Sequence, residues 1–220
     1  MQTQTTLPEG YTELFKLNLQ KDKKLAILVN CIAVLIMAAM FVTGALIVPL
    51  KAALPALETA DTVYVPLIQL MLKLIVTLFG CILYIVLHEL VHGIFMKHFS
   101  GVKPSYGFTG LYAYAGSSAY FDKKSYVIIT LAPIVIWGIA LMILTILAPR
   151  EWFWVVYFIQ ITNISGAAGD LYITFRFRKL PNDILINDTG VEMRVYGNKK
   201  NELSAYTKQP LRCGCSGFIN

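Results

Sequence analysis

Long apolar runs alternate with short charged segments along this chain. Residues 25–50 and 125–149 contain no Asp, Glu, Lys or Arg. A membrane-spanning helix needs about 20 mostly apolar residues, because about 30 Å of hydrocarbon is crossed at about 1.5 Å per residue. The pattern therefore predicts an all-α integral membrane protein with about four transmembrane helices, at residues 25–50, 65–96, 125–149 and 152–175.

Basic residues are distributed unequally among the segments that these spans would connect. Residues 1–24 and 97–124 hold four Lys each, and the segment from Arg176 onward holds eight Lys or Arg. The two opposite connections hold one each, Lys51 and Arg150. Because cytoplasmic loops are enriched in Lys and Arg, we predict a multi-pass protein of the cell membrane with both termini cytoplasmic. The predicted units are a cytoplasmic N-terminal segment at 1–24, a four-helix transmembrane domain at 25–175 and a cytoplasmic tail at 176–220.

Two polar regions carry strand-like patterns. Residues 106–121 are rich in tyrosine and small side chains in rough alternation, which favours a short cytoplasmic strand or hairpin over a helix. The alternative is an interfacial loop whose tyrosines lie at the depth of the lipid headgroups. Strand-like pieces at 184–186 and 193–196 lie in the polar tail, which we expect to form a small appendage.

The composition supports a membrane location. Hydrophobic residues make up 56% of the chain and the mean hydropathy is +0.61, whereas soluble domains contain about 45–50% apolar residues. These values exclude a disordered chain, a disulfide-stapled secreted domain and an ordinary cytosolic enzyme. Basic residues that flank apolar spans explain the net charge of +6, so we expect the lipid bilayer and no nucleic acid as a partner. The cysteines are expected to be reduced thiols: Cys31, Cys81, Cys213 and Cys215.

The segment HELVH at residues 88–92 is the strongest chemical signal in the chain. Residues four positions apart on a helix project from the same face, so His88 and His92 can bind one Zn²⁺ ion. In such a site Glu89 is placed to act as the general base that accepts a proton from the attacking water. The alternative is that the three side chains pack inside a helical bundle and have no catalytic role.

A third ligand must come from elsewhere in the chain, and two residues are candidates. Asp170 is the one downstream acid that lies inside an apolar span on the appropriate side. It stands six residues before Arg176, as His92 stands five before Lys97, so both would lie about 7–9 Å inside the same membrane boundary. The rival is His98, which follows His92 at the spacing of the third His in the metzincin signature but without the Gly of that signature.

A polar residue and a glycine share a helical face with Asp170. Asn163, Gly166 and Asp170 stand at positions i, i+3 and i+7. Glycines at 166 and 169 would leave this face without large side chains and let the helices approach closely. Asn163 could orient a substrate or donate to a developing oxyanion, and an equally consistent interpretation is that it bonds a neighbouring helix.

Several short motifs together resemble those of a known family, the Putative zincin peptidases, which are small multi-pass membrane proteins. They are HELVHG at 88–93, YAYA at 112–115, Leu-Ala-Pro at 131–133, the segment 163–170 and Leu-Pro at 180–181. This family is similar to intramembrane metalloproteases of the site-2-protease type, whose pattern has Pro and Gly where this chain has Gly166 and Leu171. The resemblance covers residues 81–195. It implies zinc ligands at His88, His92 and Asp170, with Glu89 as the general base.

The predicted function is a zinc-dependent peptidase that cuts a membrane-associated polypeptide near the cytoplasmic face. The segment 106–121 would offer a strand edge that holds the substrate in an extended form. The alternative is a non-catalytic metal-binding scaffold or transporter subunit. It is motivated by the altered segment between Asn163 and Asp170 and by the lack of a soluble substrate-selecting domain. The sequence makes no prediction of the oligomeric state.

Overall fold

A computed structural model describes residues 3–53, 64–110 and 112–198. Within these ranges the helices are α1 (Lys23–Ile47), α2 (Tyr64–Ser100), α3 (Lys123–Leu147), α4 (Phe153–Gly166) and α5 (Ala168–Phe177), with a short 3-10 helix at Leu50–Ala53. The strands are β1 (Tyr11–Leu17), β2 (Ser105–Phe108), β3 (Ala113–Gly116), β4 (Tyr120–Asp122), β5 (Leu185–Asp188) and β6 (Met193–Asn198).

Three helices of the described chain, α1, α2 and α3, are long and apolar enough to cross a membrane. Many of their large apolar side chains are exposed, as expected for helices that face lipid. The fourth predicted span is not one continuous helix, because the chain breaks at Ala167 between α4 and α5. These helices have 14 and 10 residues, fewer than the roughly 20 that a crossing requires. The prediction of four transmembrane helices is therefore not confirmed.

Helix α4 lies at the centre of the bundle, in contact with α1, α2 and α3. Glycines permit two of these contacts. A Cβ atom at Gly44 in α1 would collide with the ring of Tyr157, and one at Gly80 in α2 would collide with Ile159. Small residues allow membrane helices to approach closely, so these two glycines determine where α4 packs.

An antiparallel sheet joins segments that are far apart in sequence. Its strand order in the described chain is β1-β6-β5-β4. The N-terminal segment, the connection between α2 and α3 and the segment after α5 therefore lie on the same side of the helical bundle. The described residues also form a β2-β3 hairpin within the region expected to contain one. Because of these two sheets, the prediction of an all-α protein is not confirmed.

The sheet and the adjoining helix ends enclose an apolar core. Phe121, Phe177 and Val195 are fully buried there. Met96 of α2 and Ile129 of α3 pack in the same cluster, together with Phe177 of α5. The core therefore fixes the ends of α2, α3 and α5 relative to one another.

The β2-β3 hairpin packs directly on α2. A Cβ atom at Gly93 would overlap the hydroxyl of Tyr106, so this close contact requires a glycine. Gly93 is the last residue of the HELVHG motif. The motif thus also supplies the surface on which the hairpin lies.

Asp122 caps the N-terminus of α3, where the sheet passes into the helix. Its Oδ1 accepts from the backbone N–H groups of Lys124 at 3.0 Å and Ser125 at 3.2 Å, and its Oδ2 accepts from the Ser125 hydroxyl at 2.6 Å.

Loss of a capping side chain costs about 0.5–2 kcal/mol. We expect Asp122→Ala to lower the thermal midpoint of the purified protein in detergent.

The matched control is Asp22→Ala. Asp22 caps α1 with one bond to the backbone of Leu25 and is exposed, whereas Asp122 is buried. The midpoint should fall less for Asp22→Ala than for Asp122→Ala. An equal or larger decrease for Asp22→Ala would show that the buried cap does not have the stabilising role assigned to it.

Candidate metal centre

His88 and His92 lie one turn apart on the same face of α2. Their Nε2 atoms are 3.1 Å apart, and both side chains are about one tenth exposed. Helix α5 places the carboxylate of Asp170 against them, with Oδ2 3.2 Å from His88 Nε2 and 3.5 Å from His92 Nε2. The structure thus brings together the three side chains that were predicted as ligands.

The separations between these atoms match the geometry of a zinc site. Tetrahedral ligands at about 2.0–2.1 Å from zinc lie about 3.3 Å from one another. The separations of 3.1, 3.2 and 3.5 Å therefore outline one face of such a tetrahedron. Two imidazole nitrogens and one carboxylate oxygen leave the fourth position open, which is typical of catalytic rather than structural zinc. The residues present fit a zinc ion.

The ring of His92 is held through its second nitrogen. Nδ1 lies 2.9 Å from the backbone oxygen of Ile129 in α3. A carbonyl oxygen only accepts, so Nδ1 carries the proton and Nε2 of the neutral ring keeps its lone pair. A metal ligand needs this lone pair, and the bond to Ile129 fixes the tautomer that provides it.

The ring of His88 is held by a chain of two hydrogen bonds. Its Nδ1 lies 2.6 Å from the hydroxyl of Tyr84, which donates to Asn163 Oδ1 at 2.9 Å. Because the hydroxyl has one proton and gives it to Asn163, His88 Nδ1–H is the donor to Tyr84. The Nε2 lone pair of His88 is therefore also available on the side of Asp170.

Asn163 is fully buried beneath this chain of bonds. Its Nδ2 donates to Gln160 Oε1 at 3.3 Å, and its Oδ1 accepts from Tyr84. Asn163 is not among the described residues that line the adjacent cavity. In this arrangement it contacts the helix α2 and reaches the candidate ligand His88 through Tyr84.

A cavity of about 680 Å³ lies in front of the three candidate ligands. Gly166 and Gly169 line it, and a Cβ atom at either position would meet nothing within 4 Å. The expectation that these glycines allow close helix contact is therefore wrong. They keep space open in the cavity, whereas the intervening Ala167 and Ala168 are the buried residues of this segment.

Glu89 lies beside the candidate ligands and lines the same cavity. One of its carboxylate oxygens and one ligand nitrogen each of His88 and His92 all lie within 4.8 Å of one another. The backbone N–H of Ala115 in β3 lies near the Glu89 carboxylate. Glu89 therefore lies between the metal position and the hairpin.

The structure does not bring His98 to this site. Six residues of helix separate it from His92, which places it about 9 Å further along α2 and on another face. His98 is exposed, and its ring contacts Phe99 with centroids 5.2 Å apart. It is not among the described residues that line the cavity. Cys213 and Cys215 lie outside the described residues.

Sequence reasoning missed the groups that hold the two imidazoles. Tyr84 stands four residues before His88, so the helical spacing that joins the two histidines also places this hydroxyl on their face. That spacing could have identified it. The Ile129 carbonyl is a backbone group, and the identity of the side chain at position 129 carries no signal of its role.

Comparisons with known proteins agree with this geometry. Residues 81–185, a little under half of the chain, match the family model described as "Putative zincin peptidase". A protein of Pyrococcus woesei described as "Uncharacterized 24.7 kDa protein in gap 5'region" is 31% identical over 118 residues, which are 51% of this chain and 51% of that protein. The chain thus spans about half the length of this curated relative. No solved structure matches the chain.

The segment that matches the family model contains all four residues of the candidate site, namely His88, Glu89, His92 and Asp170. The family resemblance predicted from the sequence is therefore confirmed for residues 81–185, which match the model of the Putative zincin peptidase family.

Proposed function

We propose that this protein is a zinc-dependent peptidase in which His88, His92 and Asp170 bind one Zn²⁺ ion and Glu89 is the general base. The observation that carries the proposal is the approach of the Asp170 carboxylate to both imidazoles at 3.2 and 3.5 Å. The shorter of these contacts joins two residues that are 82 positions apart in sequence, His88 of α2 and Asp170 of α5. The family match supports the same chemistry.

The side chains around the cavity have distinct roles in this proposal. A zinc ion supplies a Lewis acid that polarises the peptide carbonyl and lowers the pKa of water. His88 and His92 direct their Nε2 lone pairs at the metal position, and Asp170 adds a negative charge. Glu89, which lines the cavity beside the metal position, accepts the proton of the attacking water and delivers it to the leaving amine.

The substrate that we propose is a membrane-associated polypeptide in an extended form. Strand β3 pairs with β2 on one side, and Ala113, Tyr114 and Ala115 line the cavity. Because these residues line the cavity, we propose that the edge of β3 that is not paired with β2 is open to a substrate there. An extended polypeptide can add to such an edge, whereas a helical one keeps its carbonyls in internal hydrogen bonds.

We further propose that α4 and α5 together complete a fourth crossing. Strands from three segments meet in one sheet, so the chain must return to the sheet after α3 has led away from it. The excess of Lys and Arg in these three segments supports a cytoplasmic location of both termini in a cell-membrane protein. The division into units at 1–24, 25–175 and 176–220 stays a prediction, with the outer two units contributing strands to the same sheet.

Glu89→Gln separates chemistry from metal binding. The variant should bind zinc at the wild-type stoichiometry but lose about 100-fold or more of its cleavage rate, because an amide cannot accept the proton. Elemental analysis measures the zinc, and a membrane-anchored reporter polypeptide in proteoliposomes measures cleavage. Glu151→Gln, at an exposed acid beyond the opposite end of α4, is the control and should retain both properties. Equal cleavage by wild type and Glu89→Gln would reject the peptidase and favour a non-catalytic metal-binding scaffold.

Replacing each candidate third ligand tests the ligand set. Asp170→Ala should lose most of the bound zinc after dialysis against a weak chelator, because two imidazoles alone bind the ion less tightly. His98→Ala should keep one zinc ion per chain. Elemental analysis also identifies the metal, since sites with His and carboxylate ligands accept other divalent ions. Loss of zinc in His98→Ala with retention in Asp170→Ala would reverse the assignment.

Cysteine labelling tests the fourth crossing. In a variant whose native cysteines are replaced by serine, single cysteines are introduced at Lys21, Lys103, Lys51 or Arg150, which are all exposed. A membrane-impermeant maleimide should label positions 51 and 150 in intact cells and positions 21 and 103 only in inverted vesicles. Labelling of 150 from the same side as 103 would reject the proposed topology.

A further inference from the structure

Helix α3 contains a proline in its interior, Pro133, which is almost completely buried. A proline has no backbone N–H, and its ring also crowds the carbonyl four residues earlier in a helix. In α3 that carbonyl belongs to Ile129. It is the same carbonyl that lies 2.9 Å from Nδ1 of His92.

We propose that Pro133 is a positioning residue for the metal site. Because it lacks the N–H that would otherwise bond to the Ile129 carbonyl, Pro133 leaves this carbonyl available as the acceptor that holds His92 with its proton on Nδ1 and its Nε2 lone pair towards Asp170. This inference rests on the metal-binding part of the proposed function and is independent of whether the site cleaves peptides.

Each of the two groups needs the other. Ile129 is 1% exposed, and a buried carbonyl without a hydrogen-bond partner is costly. The His92 ring is about one tenth exposed, and its Nδ1–H likewise requires an acceptor. The hydroxyl of Thr130, the nearest polar side chain along α3, is already used, because it donates to the backbone oxygen of Tyr126 at 2.8 Å.

The two candidate histidine ligands are thus held in different ways. His88 is held by a side chain of its own helix, Tyr84, at 2.6 Å. His92 is held by the backbone of a different helix, and a substitution at position 129 changes the side chain but leaves the carbonyl in place. Pro133 is therefore the position at which a substitution can give this carbonyl a competing donor without changing His92 itself.

The variant that tests the inference is Pro133→Ala. The new N–H at position 133 can bond to the Ile129 carbonyl and compete with His92. We expect the affinity of the purified full-length protein for zinc to fall about 10-fold to 100-fold, which is typical when a partner of a metal-ligating histidine is lost. Competition with a chromophoric chelator measures this affinity, and the thermal midpoint in detergent reports whether the variant folds.

Pro66→Ala is the matched control. Pro66 is also buried, but it lies in the first turn of α2, where a proline displaces no helical hydrogen bond. The zinc affinity of Pro66→Ala should equal that of the wild type. An unchanged zinc affinity in a folded Pro133→Ala protein would overturn the inference.

The Nδ1–H group of His92 is a readout that a merely structural role of Pro133 would not move. In the zinc-loaded His98→Ala protein labelled with ¹⁵N-histidine, two rings remain, and NMR shows which nitrogen of each ring binds the metal and which carries the proton. We expect both rings to bind zinc through Nε2 and to be protonated at Nδ1, and the Nδ1–H proton resonance of His92 to move upfield when Pro133→Ala weakens its hydrogen bond to the Ile129 carbonyl. Protonation of His92 at Nε2 in the protein that keeps Pro133 would overturn the inference even if Pro133→Ala does not fold.

Neither readout uses peptide cleavage. A protein that binds zinc and shows the expected tautomers but does not cleave would contradict the proposed peptidase and leave the role of Pro133 intact. An unchanged Nδ1–H resonance of His92 and an unchanged zinc affinity in Pro133→Ala, with cleavage that depends on Glu89, would contradict the role of Pro133 and leave the peptidase intact.

Discussion

The contact between the Asp170 carboxylate and two imidazoles is the constraint on which the rest of the structure depends. A carboxylate between apolar helices is costly unless it has a charged, hydrogen-bonding or metal partner. With their Nε2 atoms facing Asp170, His88 and His92 can share a metal ion with this carboxylate. Their Nδ1 atoms then need acceptors elsewhere, so α2 must pack against α3 and α4 in a defined register as well as against the segment that carries Asp170.

The break between α4 and α5 follows from the same constraint. It places Asp170 in the first turn of α5, where unpaired backbone N–H groups and the helix dipole stabilise a negative charge. An interrupted helix at membrane depth is tolerated where it is buried in protein or lines a cavity. Both conditions hold here, because Ala167 is buried while Gly166 and Gly169 border open space.

Local patterns predicted the parts of the fold that depend on local interactions. Two local signals identified the candidate ligands, because each lies within one helix. They are the i, i+4 spacing of His88 and His92 and the position of Asp170 in an otherwise apolar run. The break at Ala167 did have a local signal that the sequence interpretation did not use, because Gly166 and Gly169 flank it and glycine disfavours the interior of a helix. Strand β1 was missed because it is stabilised by pairing with β6, more than 170 residues away, so the sequence around it does not determine it.

The sheet also helps to fix the positions of the candidate ligands between the membrane helices. The side chain of Ile129 is 1% exposed in the core that the sheet covers, with Phe121 and Val195, while its carbonyl contacts His92. One residue therefore couples the packing of the sheet to the orientation of a candidate ligand. Lipid imposes no such geometry on the outer ends of α2 and α3, where many apolar side chains are exposed. Because interiors are densely packed, a shift in the sheet would displace the Ile129 carbonyl, and the sheet is in this sense part of the metal site.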